Sequence, residues 1–99
     1  MAQVAWKYEP DRFVHRDLSR LLAFWRTATE QAEEWPEWDD ESRENFRIEW
    51  TIDRERLIRV KDAVAAGLLD ERQQRDWQEL QQLIETHRAT VESMIEGPI

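Results

Sequence analysis

The stretch VHRDLSRLLAFWRTATEQAEEW, residues 14–35, decides the fold class. Its apolar residues Val14, Leu18, Leu21, Trp25, Ala28, Ala32 and Trp35 recur at alternating spacings of 4 and 3, an uninterrupted heptad stripe. That spacing lines one face of a helix, whereas a strand, with its period of two, would scatter the same residues over both faces. Leu22 and Phe24 widen the stripe on either side, as a helix touching two neighbours requires. Pro36 disfavours helical geometry at Trp35, so the helix is predicted over 11–34, with Pro10 well placed in its first turn.

The next residues, Trp35-Pro36-Glu37-Trp38-Asp39-Asp40, form the clearest connection in the chain. Either aspartate can cap a following helix by accepting hydrogen bonds from its free N–H groups, and Glu41 and Glu44 then sit near the positive end of its dipole. That second helix, predicted over 40–66, carries Phe46, Trp50, Leu57, Val60 and Val64 on one face and stops at Gly67, a natural left-handed terminator. Leu68 and Leu69 supply the apolar contact that often follows such a stop. Asp70 caps a third helix, predicted over 70–96, with the stripe Trp77, Leu80, Ile84, His87, Val91 and Met94, and Gly97-Pro98 ends it. The reading is all-α: an antiparallel up-down-up three-helix bundle over 10–97, preceded by an N-terminal arm over 1–9 in which Val4, Trp6 and Tyr8 alternate.

Composition narrows the function classes. The 99 residues carry 14 Lys and Arg against 22 Asp and Glu, a net charge of −8. A balance this acidic opposes binding to phosphate backbones or anionic lipid, so direct nucleic-acid or membrane binding is not expected. There is no cysteine, which excludes disulfides, thiolate metal sites and cysteine nucleophiles. With two histidines and no Glu-x-x-His pair, a zinc or di-iron site has no ligand set, and no glycine-rich phosphate loop or nucleophile elbow occurs. No metal, no cofactor and no catalytic residue is expected. No apolar run resembles a signal-peptide core or a membrane span, so a cytoplasmic location is the expectation.

Folding the chain about its two connections brings Trp25, Trp50 and His87 level. Asp53 interrupts the second helix's seam between Trp50 and Leu57, and a carboxylate there must be paired, hydrated or protonated. An Asp53–His87 pair is one solution, with an arginine partner or solvent as the others. Such a pair would fix helix register, and in a catalytic version it would be a general-base dyad beside Trp25 and Trp50.

Charge and surplus apolar surface point to a partner. Residues 30–49 hold nine acids against Arg43 and Arg47, a balance of −7 within the total of −8, whereas Arg54, Arg56, Arg59, Lys61, Arg72 and Arg75 gather at the opposite end. Trp35 and Trp38 sit within that acidic elbow beside Glu37, Asp39, Asp40 and Glu41, an arrangement suited to a basic, apolar-anchored protein. Ile48, Ile52 and Ala63 point away from the second helix's main stripe, and the two isoleucines read as an interface between two copies of the chain. The expected function is a small, non-catalytic protein–protein interaction module, an adaptor, regulator or subunit, that forms a homodimer and docks another protein with a basic or apolar surface. The alternatives are a nucleic-acid mimic that occupies a basic binding protein, and a ligand-binding or enzymatic bundle built on Trp25, Trp50, Asp53 and His87.

Overall fold

A computed structural model describes the backbone of residues 10–96 and the side chains of residues 13–96. The expected arm, with Val4, Trp6 and Tyr8, and the Gly97-Pro98 stop lie outside the described residues. Among the described residues every regular element is helical: α1 (Pro10–Arg26), α2 (Ala28–Glu34), a 3-10 turn over Trp35–Glu37, α3 (Asp40–Ala65) and α4 (Glu71–Glu96).

Four helices stand where three were expected, because the first is broken at Thr27. The Thr27 hydroxyl donates to the carbonyl oxygens of Ala23 at 3.0 Å and Phe24 at 3.1 Å, competing with the backbone N–H groups that would continue the helix. A side chain that enters the ladder in this way bends it. α2 then leans on α4, and the turn at Trp35 carries the chain across to α3.

The other boundaries follow from local chemistry. Asp39 caps α3 by accepting the Ser42 N–H at 2.7 Å. α3 ends in a Schellman motif, in which the N–H of Gly67 donates to Val64 O and that of Leu68 to Ala63 O, both at 3.0 Å. Gly67 supplies the required positive φ of 71°. Asp70 and Gln73 form a reciprocal capping box: the Gln73 N–H donates to Asp70 Oδ1 at 2.8 Å and the Asp70 N–H to Gln73 Oε1 at 3.0 Å.

α1 is the central element and packs closely on both α3 and α4. Its two flanks account for the widened stripe: Val14, Leu18, Leu21, Leu22 and Trp25 are all at most 5% exposed. Opposite them lie Phe46 and Val60 of α3 and Leu80, Ile84, Val91 and Met94 of α4. Arg59 bonds Asp17 through Nε at 3.0 Å and Nη2 at 3.1 Å, while Phe24 meets Phe46 at 5.3 Å between ring centroids, so α1 and α3 run antiparallel. α3 and α4 are less closely joined, and a groove runs between them over Trp25.

Candidate interaction surface

The acidic elbow is built as much for structure as for display. Trp35 and Trp38 are both half-buried, their rings 5.4 Å apart, and each also meets Phe46, at 5.4 and 5.9 Å. Arg43 donates to Trp35 O through Nε at 3.3 Å and Nη2 at 3.0 Å, and to Pro36 O at 3.1 Å. The guanidinium groups of Arg43 and Arg47 lie 5.5 and 5.8 Å from the Trp35 ring centroid. The first turns of α3 thus staple the elbow down with the two cations that sequence counting set against its acids. Glu37, Asp39, Asp40 and Glu41 remain exposed, and the hydrogen bonds from Ser42 hold the Asp39 carboxyl below its ordinary range.

Asp53 is 3% exposed, and Arg56, one helical turn later, bonds it. Burial pushes its pKa up to about 6, against the hydrogen bond and charge of Arg56, with Glu49 adding to the rise and Arg20 opposing it. The arginine alternative is therefore the one the structure contains. His87 does not meet Asp53. It lies on another flank of α4, with Nδ1 3.4 Å from the Thr29 hydroxyl of α2. The expected layer forms only in part: Trp25 and Trp50 make an edge contact at 5.8 Å, and the α4 residue lining the groove beside them is Arg88. The physical reason is that the α4 stripe serves two neighbours. Ile84, Arg88 and Ile95 turn toward the groove, while the His87 side turns toward α2.

Three openings lie among the described residues, of which the smallest, about 360 Å³, is lined by Leu57, Trp77 and Ile84 of α3 and α4 with Lys61, Glu85 and Arg88. Another, about 440 Å³, lies between α3 and α4, with Trp25, Trp50, Leu57, Ile84 and Ile95 as its apolar lining and Arg54, Lys61, Arg88, Glu92 and Glu96 around it. The third, about 390 Å³, is lined by Arg20, Phe24, Phe46 and Asp53, and by Gln31, whose buried Oε1 has no hydrogen-bond donor. Among the described residues no group of three or more His, Cys, Asp or Glu side chains is placed to hold a metal ion, and no helix is long and apolar enough to cross a membrane.

The largest departure from a self-sufficient fold is the outer face of α3. Ile48 is 49% exposed, Ile52 40% and Ile58 59%. Sequence pattern singled out the first two. It missed Ile58, although Ile58 lies between Arg54 and Lys61 on the charged side of the same helix. Ala63, expected on the outer patch, is instead 4% exposed and part of the core, because Leu68 folds back across that end of the helix. Asp17 was also missed: it is 2% exposed and takes a two-bond pair from Arg59, whose guanidinium also covers the Phe13 ring at 4.7 Å. Its position beside Leu18, between Val14 and Leu21, was the available signal.

No protein-family model, no curated protein and no solved structure matches the chain.

Proposed function

We propose that the chain is a non-catalytic helical interaction module whose docking surface is the outer face of α3, continuous with the acidic elbow. The observation that carries this reading is the placement of the exposed large hydrophobic residues. Among the described residues Ile48, Ile52 and Ile58 all lie on α3 and on no other element. Singly exposed apolar residues are ordinary on a protein surface, but Ile48 and Ile52, one turn apart, share a flank of α3, and Ile58 adds exposed apolar surface further along the same helix. Asp40 and Glu41 extend that surface as an acidic rim, which favours a partner with basic groups around an apolar centre.

The test is a variant with Ile48→Glu, Ile52→Glu and Ile58→Glu together. It should keep the helical circular dichroism of the parent, because none of the three side chains is in the core. As bait, it should lose proteins that the parent captures from the source cell. Identical capture by parent and variant would refute the role of α3, and so would loss of the fold.

A second reading, a small-ligand site, has one observation in its favour: the groove over Trp25 and Trp50 between α3 and α4. Neither Asp53 nor His87 lines that groove, so the reading extends to binding and not to general-base chemistry. Quenching of tryptophan fluorescence by a panel of aromatic acids would test it, with unchanged emission across the panel as the refuting result.

A further inference from the structure

We infer that the cleft between α1 and α3 receives a guanidinium group, supplied by an arginine side chain of the protein that docks on α3. This inference rests on the docking role proposed above and names the side chain by which the partner is recognised.

Phe24 of α1 and Phe46 of α3, 5.3 Å apart between ring centroids, give the cleft its apolar lining. Because α1 and α3 run antiparallel, Arg20, Asp53 and Arg56 share one end, and Gln31, beyond the break at Thr27, stands at the other. Glu49 lies between, one turn before Asp53 on α3 and near enough for its charge to act on that carboxyl. The cations that line the cleft do not serve the Gln31 end. Arg56 is already bonded to Asp53, and Arg20 acts on the same carboxyl. The buried Gln31 Oε1 meets no donor among the described residues. Glu49 is exposed and has no ion-pair partner among them. One neutral acceptor and one anionic acceptor thus stand beside aromatic rings with no donor from the described chain. A buried acceptor left in that state costs free energy that a donor recovers.

Charge selects a cation. Residues 30–49 carry a balance of −7, and the two bases among them, Arg43 and Arg47, are drawn over the Trp35 ring. An anion at the Gln31 end meets repulsion, and a cation meets attraction. Hydrogen bonding selects the kind of cation. A guanidinium carries five N–H donors in one plane, so it can serve Gln31 Oε1 and the Glu49 carboxylate together while its face lies on a ring. An ammonium is compact and strongly hydrated, and it gains less from the rings. The chain uses the same chemistry elsewhere: the Arg59 guanidinium bonds the buried Asp17 while it covers the Phe13 ring at 4.7 Å. The placement of the cleft selects the source. Glu49 follows Ile48 directly and stands three residues before Ile52, neighbouring positions on the helix surface. A partner that covers the two exposed isoleucines therefore has the rim of the cleft within reach of a long side chain.

The probe is N-acetyl-arginine N-methylamide, titrated into the full chain and followed by two-dimensional NMR, including the side-chain amide of Gln31. Saturable shifts are expected at Gln31 and along residues 24–31 and 46–53, with a dissociation constant on the order of millimolar for one charged group in an open cleft. The matching lysine derivative should bind at least about fivefold more weakly, and the uncharged citrulline derivative more weakly still. Gln31→Leu and Glu49→Gln should each weaken the arginine probe by about tenfold, the loss of one acceptor from a charged donor. Both variants should keep the parent's circular dichroism, since one replaces an unsatisfied acceptor and the other changes an exposed side chain. As baits, both should also lose the proteins that the parent captures. Equal shifts with all three probes, unchanged binding in both variants, or no saturable shift would overturn the guanidinium site, and the triple glutamate comparison would then judge the docking face on its own. Probe binding that both variants lose, with capture left intact, would overturn the partner as the source of the arginine.

Discussion

Asp53→Asn isolates a buried carboxyl whose charge state differs between the folded and unfolded chain. In the folded chain burial holds the Asp53 pKa near 6, whereas an unfolded aspartate titrates near ~3.9. A folded-state pKa above the unfolded value means that the folded chain takes up the proton first, so stability rises as pH falls through 6 and levels off near 4. At pH 7 about a tenth of the folded molecules carry the proton, and at pH 5 about nine-tenths, while the unfolded chain remains charged at both. The linkage contributes about 1.3 kcal/mol of added stability between pH 7 and pH 5. Solvent in the adjoining cleft reduces this somewhat. For a chain of this size 1 kcal/mol moves the midpoint by about 4–8 °C, so about 5–10 °C is expected. A side-chain amide does not titrate in this range, so Asp53→Asn removes the contribution while keeping a side-chain oxygen for Arg56. The assay is thermal denaturation followed by circular dichroism at pH 5, 6 and 7 for both chains. Subtracting one series from the other cancels every other titrating group. The parent should gain stability on the variant toward pH 5. A difference that stays constant across the three values would refute the reasoning, because it would mean that Arg56 outweighs burial and keeps the carboxylate charged.

Three further changes test other parts of the fold by the same measurement. Gly67→Ala should cost about 1 kcal/mol from backbone strain alone, since φ is 71° and an added Cβ meets nothing within 4 Å; an unchanged midpoint would contradict the left-handed stop. Asp17→Ala should cost about 2 kcal/mol or more, because it removes the buried acceptor of the Arg59 pair, whereas Arg26→Ala, which breaks an exposed pair with Glu79, should cost much less; equal losses would refute the distinction by burial. Asp70→Ala opens the capping box of α4 and should cost about 1 kcal/mol, with no loss indicating that another group satisfies the first turn.

The legible parts of this chain are those whose chemistry is local. The stop at Gly67 and the starts at Asp39 and Asp70 are each settled by residues within a turn or so of the boundary, and α3 and α4 begin and end within about a residue of expectation. The heptad stripe of residues 14–35 gives helix but not a straight helix, because whether Thr27 turns its hydroxyl onto Ala23 and Phe24 depends on where α4 offers α2 a surface. The rotation of α4 is illegible for a related reason. An apolar arc wide enough for two neighbours fits several rotations, and the observed one sends Arg88 rather than His87 to Trp50. Asp17 and Arg59 are separated by 42 positions, and their pairing follows only once α1 is known to cover α3.

α1 and α3 divide the work of the fold unequally, and that inequality bears on function. α1 is flanked on both sides, so its apolar residues are accounted for by contacts within the chain. α3 packs closely on α1 alone, yet it carries isoleucines away from that contact as well as toward it. An exposed isoleucine contributes little to the stability of one copy, because the folded state leaves much of the side chain in water. If the triple glutamate change leaves the midpoint unmoved, the fold of a single chain does not require those residues. If it unfolds the protein, those side chains serve the fold of the single chain, and the docking face fails.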